Sequence, residues 1–159
     1  MNFDRTAVLA LRVFLVLLFG LLVFLQVVSL PGQFAHLAEE DPDDAWLRWP
    51  ATVVTVFWVL CAQVVLVAIW RLLTMVQRDR IFSEASFTWV DAIIGAIGAG
   101  WAVLLVVFLL VGFNADDPGL PLLLCLLLGA VTVVGLVVVV MRALLRQATA
   151  LRTDLDGVI

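Results

Sequence analysis

The side chains able to do chemistry are few and scattered. His36 is the only histidine, and Cys61 and Cys125 are the only cysteines. One imidazole makes neither a bis-histidine haem site nor a histidine-rich metal site. No Ser–His–acid set, glycine-rich phosphate loop or converging carboxylate pair can be assembled around it. With the apolar runs laid out as helices, the two cysteines differ in depth by roughly 9 Å at 1.5 Å per residue. Bridged Cα atoms lie within about 7 Å, so no disulfide is expected and each thiol serves as a small apolar residue. The acidic run Glu39-Glu40-Asp41-Pro42-Asp43-Asp44 lacks the ligand spacing and central glycine of a calcium loop and reads as solvated. The sequence predicts no enzyme, no cofactor and no metal centre.

What must position the remaining polar groups is a set of long apolar elements. Of 159 residues, 65% are hydrophobic and 14% charged, with mean hydropathy +1.20. A water-soluble domain is roughly half apolar and about a quarter charged. The composition therefore excludes a soluble globular protein, a disordered chain and a direct binder of nucleic acid. No charge interrupts residues 13–38, 49–70, 92–115 or 118–141. A hydrocarbon core of roughly 30 Å takes about 20 helical residues, so each run crosses once. Many of these residues are β-branched valine, but a length near 20 without period-two alternation favours helix over barrel strand. The expected fold is all-α, a single membrane domain with spans near 13–30, 50–70, 92–113 and 120–141. The outer connections are then 31–49 and 114–119, the inner loop 71–91 and the tail 142–159.

Arginine sets the orientation. All nine basic residues are Arg, and Arg48 alone falls in the two loops assigned to the outside. Eight against one is a strong positive-inside bias and predicts that both termini face the cytoplasm. Trp46, Trp49, Trp70 and Trp89 stand at the predicted borders, where an apolar ring with one N–H donor is favoured. Trp58 and Trp101 lie deeper and are expected between helices. Arg5 and Arg12 before the first apolar run imitate a signal peptide, but that run is long and Ser29-Leu30-Pro31 is a poor cleavage site. A signal-anchor helix is expected there.

Local signals refine the connections. Pro31-Gly32 predicts a helix stop, and Asn114-Ala115-Asp116-Asp117-Pro118-Gly119 a tight turn that folds the last two helices into an antiparallel hairpin. In the inner loop Ser83 is placed to N-cap a helix running from about Glu84 to Phe113, with Glu84 favourable at its positive end. Phe82 and Phe87 have the spacing of a hydrophobic staple. This elbow reads either as an ordinary interfacial turn or as a docking surface carried by Arg78, Arg80, Phe82, Ser83 and Phe87.

The stretch Arg80-Ile81-Phe82-Ser83, followed by Trp89-Val90-Asp91-Ala92-Ile93, resembles the signature of the YoaS-like bacterial membrane family of unknown function. The resemblance implies four helices, no known catalytic activity and a regulatory pairing, because members are often encoded beside a small Cro-like helix-turn-helix repressor. It supplies no functional residues.

Three polar or small-residue features complete the reading. Asp91 is the acid nearest a span and is expected to form a structural ion pair at the inner interface, assigned to Arg12, although Arg71 and Arg142 end their helices at the same level and either could pair with it. Gln26 and Gln63 are the only amides within the spans and fall at different depths, so they are not expected to meet. Gly95, Gly98, Ala99 and Ala102 form small-xxx-small pairs that let a second backbone approach, within the bundle or from a partner. Gly129 and Gly135 repeat that signal more weakly. The function expected is contact with a cytoplasmic regulator, or alternatively membership of a larger membrane complex such as a respiratory assembly. No polar stripe marks a transporter or channel.

Overall fold

The computed structural model describes residues 2–40 and 46–158, and nearly all of them are helical. The first apolar run forms α1 (Asn2–Phe24), a π-helical turn (Leu25–Ser29) and α2 (Leu30–Glu40) as one continuous helix. The others form α3 (Arg48–Gln77), α4 (Glu84–Asn114) and α5 (Gly119–Val158). All four are long and apolar enough to cross a membrane. Buried apolar side chains are few, and large ones such as Phe14, Phe24, Leu122 and Leu126 lie exposed. In water each would cost about 1.5–3 kcal/mol, whereas lipid tails solvate them. This is the surface of a multi-pass membrane protein. The chain divides into two compact units, Met1–Trp70 and Arg71–Ile159.

Helix boundaries differ from the sequence reading in one direction: the helices run longer. Pro31-Gly32 does not stop the first helix. Proline removes one backbone donor and crowds the carbonyl four residues back. That carbonyl, on Val27, lies inside the π turn, where bonding has already shifted to the wider i→i+5 pattern and Leu30 N–H donates to Leu25 C=O. The wider turn absorbs the ring. The connection expected over 31–49 is therefore helical to Glu40 and again from Arg48, with Trp46 and Leu47 in a 3-10 turn. Asp41, Pro42, Asp43 and Asp44 of the acidic run lie outside the described residues. The connection assigned to 71–91 is only 78–83: α4 starts at Glu84, where its N-terminal signal puts it, and 71–77 continue α3 with mostly good helix formers. The tail 142–159 is helical to Val158 for the same reason, making α5 40 residues, about 60 Å, long.

The longer helices also bring together two side chains expected apart. Gln63 Nε2 donates to Gln26 Oε1 at 3.0 Å. Gln26 lies 14 residues before Glu40 at the end of α2, and Gln63 lies 15 residues after Arg48 at the start of α3. Measured from the true connection, the amides stand at one level, and only the premature stop at Pro31 displaced them. In the same unit the Arg12 guanidinium sits 5.2 Å from the Trp70 ring centroid. An apolar groove is lined by Leu15, Val16, Phe19, Leu66, Val67 and Trp70.

In the second unit α4 and α5 form the expected antiparallel hairpin, turned over residues 115–118. Ala115 N–H closes α4 on Val111 C=O at 2.8 Å. Three cross-contacts set the register. Asp91 meets Arg142, Ile97 meets Gly135, and Trp101 meets Thr132. Six residues along α4 correspond to seven back along α5, and the next four to three, as antiparallel helices require. Trp101 Nε1 donates to Thr132 Oγ1 at 2.9 Å, and Thr132 Oγ1 donates to Leu128 C=O at 2.7 Å. This relay satisfies both polar groups where lipid offers none. Cys61 and Cys125 are both free thiols.

Candidate functional site

The polar groups of the second unit collect at the end of the hairpin where α3 passes into α4. α3 ends in a Schellman motif. Arg80 N–H donates to Met75 C=O at 2.9 Å and Asp79 N–H to Val76 C=O at 3.2 Å, with Asp79 left-handed at φ 53°. Aspartate tolerates that conformation better than most side chains. The next turn closes on the Arg80 carbonyl, which accepts from Ser83 N–H at 3.2 Å and from Ser83 Oγ at 2.7 Å. Six residues, 78–83, therefore reverse the chain, four of them with their N–H groups bonded within it or to the end of α3.

Ser83 occupies the N-cap position of α4 with extended backbone, φ −107° and ψ 157°, but its hydroxyl does not cap. The bond to Arg80 turns it away from the helix. Capping passes instead to the Ser83 carbonyl, which accepts from Ser86 N–H at 3.1 Å and from Ser86 Oγ at 2.7 Å. Ser86 is fully buried and shares the inward face of α4 with Val90 and Ile93.

Aromatic rings and α5 brace this elbow. Arg71 lies over Trp89 with its guanidinium carbon 5.4 Å from the ring centroid. Arg152, near the far end of α5, lies 5.0 Å over Phe82 and donates to Asp79 Oδ2 at 3.3 Å. Phe82, expected to face a partner, is thus covered internally. Asp91 pairs bidentately with Arg142, through Nε to Oδ1 and through Nη2 to Oδ2 at 3.1 Å. The expected pair with Arg12 is corrected to Arg142. Hairpin register puts that arginine opposite Asp91, while Arg12 belongs to the first unit and stacks on Trp70.

A cavity of about 480 Å³ opens beside the elbow, lined by Arg71, Thr74, Met75, Arg78, Arg80, Ser83 and Ala85. Arg78 and Arg80 are exposed, and neither forms an ion pair among the described residues. Sequence reasoning singled out Arg78, Arg80 and Ser83 but missed Arg71 and Thr74. Their signal was present: positions 71, 74, 75 and 78 follow the i, i+3, i+4, i+7 spacing of one helix face, legible once α3 continues past Trp70. Asp79 and Arg152 carried no comparable signal, because their meeting depends on how far α5 extends.

The small residues of α4 lie elsewhere. Gly95, Gly98, Ala99 and Ala102 share an exposed face, and a Cβ added at Gly95 or Gly98 would meet nothing within 4 Å. The close approach within the hairpin is at Gly135, where a Cβ would stand 3.3 Å from Ile97 Cγ2. The weaker of the two small-residue signals is the one that packs. Phe87 is half-buried.

A family model described as a protein of unknown function, DUF2975, matches residues 32–159. No curated protein and no solved structure matches the chain.

Proposed function

This chain belongs to the DUF2975 family, and we propose that it is a non-enzymatic membrane protein working by contact, with the Arg78–Phe87 elbow as its docking surface for a partner protein. The observation that supports this is the elbow itself. Two arginines without ion-pair partners among the described residues are displayed on a turn whose shape is set by backbone bonds and braced by Arg152. A preformed surface lowers the ordering cost of association. The arginine distribution supports a cytoplasmic elbow and cytoplasmic termini, and the YoaS-like resemblance supports a bacterial membrane. The YoaS-like signature favours a small soluble DNA-binding regulator as the partner, with no nucleic-acid contact by this chain itself. The test is purification of the tagged protein in mild detergent, with and without Arg78→Glu/Arg80→Glu. A stoichiometric soluble partner lost from the variant supports the reading, and a partner indifferent to both charges refutes it.

A second reading, an accessory subunit of a larger membrane assembly, is favoured by the exposed face of Gly95, Gly98, Ala99 and Ala102. Small residues there leave room for another transmembrane backbone. Gly98→Leu or Ala99→Leu would release the chain from such an assembly without disturbing the elbow. A transporter or channel component is the least supported reading.

A further inference from the structure

The cavity beside the elbow is lined by three cationic side chains, Arg71, Arg78 and Arg80, with no acid among the described residues of its lining. The acids nearest in sequence are directed elsewhere or stand outside it. Asp79 accepts from Arg152, Asp91 accepts from Arg142, and Glu84 is exposed in the first turn of α4. Like charges sharing a cavity repel, and an anion entering it would relieve that repulsion. A further feature suits an anion. Ala85 brings the first turn of α4 to the wall, where N–H groups lack intrahelical acceptors and the helix dipole is positive. Arginine is the side chain whose planar fork matches phosphate oxygens two at a time. The volume falls within the roughly 300–1,000 Å³ of small-molecule sites.

We propose that this cavity binds a phosphate group, with Arg71, Arg78 and Arg80 as its ligands. The group has two possible sources, an anionic lipid headgroup at the membrane edge and a free phosphate in solution. This deepens the reading of the elbow as the working surface and rests on it. Anion binding would fix the arginine side chains that the docking surface presents.

The experiment has two arms. The full chain is reconstituted in nanodiscs of phosphatidylcholine, or of equal parts phosphatidylcholine and phosphatidylglycerol, and retained lipid is counted by native mass spectrometry. In parallel, detergent-solubilised protein is titrated calorimetrically with inorganic phosphate. Preferential retention of phosphatidylglycerol without a phosphate isotherm identifies a headgroup site. A saturable phosphate isotherm identifies a free-anion site, and either supports the proposal. Each of Arg71→Gln, Arg78→Gln and Arg80→Gln should weaken binding about tenfold or more, the loss of a charge-assisted hydrogen bond to phosphate. Arg146→Gln, an equal charge change outside the cavity, should weaken it by no more than about fivefold, the effect of one basic side chain near a membrane surface. Arg78→Gln and Arg80→Gln remove no ion pair, so they carry the test if Arg71→Gln, which loses its Trp89 contact, fails to fold.

Equal retention of both lipids with no phosphate isotherm overturns the proposal, as does an Arg146→Gln effect equal to that of Arg80→Gln. The two readings separate at Arg71, which lines the cavity but lies outside the docking segment. Partner capture with no anion bound refutes the cavity alone. Anion binding lost in Arg71→Gln, with a partner that ignores Arg78→Glu/Arg80→Glu, refutes the docking surface alone.

Discussion

Replacing Gln63 by leucine probes the one amide pair within the spans, and the geometry sets what it should cost. Gln63 is buried and donates to Gln26 at 3.0 Å, in a segment where lipid offers no replacement partner. Side-chain hydrogen bonds between transmembrane helices contribute about 0.6 kcal/mol on average and up to about 1.7. Truncating one partner also strands the other, a penalty of about 1–3 kcal/mol for a buried group. Gln63→Leu should therefore destabilise by about 1–2 kcal/mol, and Gln26→Leu by a similar amount. The double variant leaves no stranded amide and should fall within about 0.5 kcal/mol of the parent, since removing both partners is nearly neutral. The assay is reversible unfolding in mixed micelles with sodium dodecyl sulfate, followed by far-ultraviolet circular dichroism across the four-protein cycle. A coupling energy below about 0.3 kcal/mol, the scatter of unconnected sites, would refute the argument that the two amides share one level.

Four further outcomes follow from the second unit. Gly135→Val should destabilise by about 1–3 kcal/mol in the same assay, because the added atoms press on Ile97 Cγ2, already 3.3 Å from an ideal Cβ. Gly95→Ala, with open space around it, should be neutral or stabilise by up to about 1 kcal/mol. At Asp79, held at φ 53°, Asp79→Asn should leave stability within about 0.5 kcal/mol, while the β-branched Asp79→Val should cost about 1–2. Equal effects of the two at Asp79, read from unfolding midpoints, would show that its backbone is unstrained. For the ion pair, Asp91→Arg and Arg142→Asp should each lower thermal stability in detergent by size-exclusion monitoring, and the exchanged pair should recover it. No recovery would mean that the contact is incidental.

The way the α4–α5 hairpin closes explains why some readings transferred from sequence to structure and others did not. The turn at 115–118 is local, with Pro and Gly at its end, and its consequence, two antiparallel neighbours, follows from chain connectivity. Trp101 was expected between helices because an indole N–H deep in lipid needs an acceptor, and Thr132 supplies it. Ser83 was a sound N-cap by type and position. Its hydroxyl was lost to the Arg80 carbonyl because a Schellman turn immediately upstream leaves that carbonyl pointing back at it. Side-chain propensity cannot register a competition decided by the preceding turn.

The candidate site divides in the same way. Arg78, Arg80 and Ser83 stood out because charge and capping types are conspicuous between apolar runs. Arg71 and Thr74 hid inside what was read as loop, because the reading ended the helix where its hydrophobicity ended. Helix continuation past the membrane edge is a matter of backbone propensity and packing, not of lipid solubility.

From sequence alone came the number of helices able to cross a membrane, their helical character and the single histidine and two cysteines. Those follow from lengths of uncharged chain against a fixed hydrocarbon thickness, and from counts of side-chain types, and neither needs to know which residues touch. The tertiary structure alone decided the partnerships: Gln26 with Gln63, Asp91 with Arg142 rather than Arg12, Gly135 rather than Gly95 or Gly98 in close packing, and three arginines around one cavity. Each depends on register between helices. Register is set by where a helix truly ends and which face its neighbour covers, so one π turn before Pro31 was enough to move an amide pair from apart to bonded.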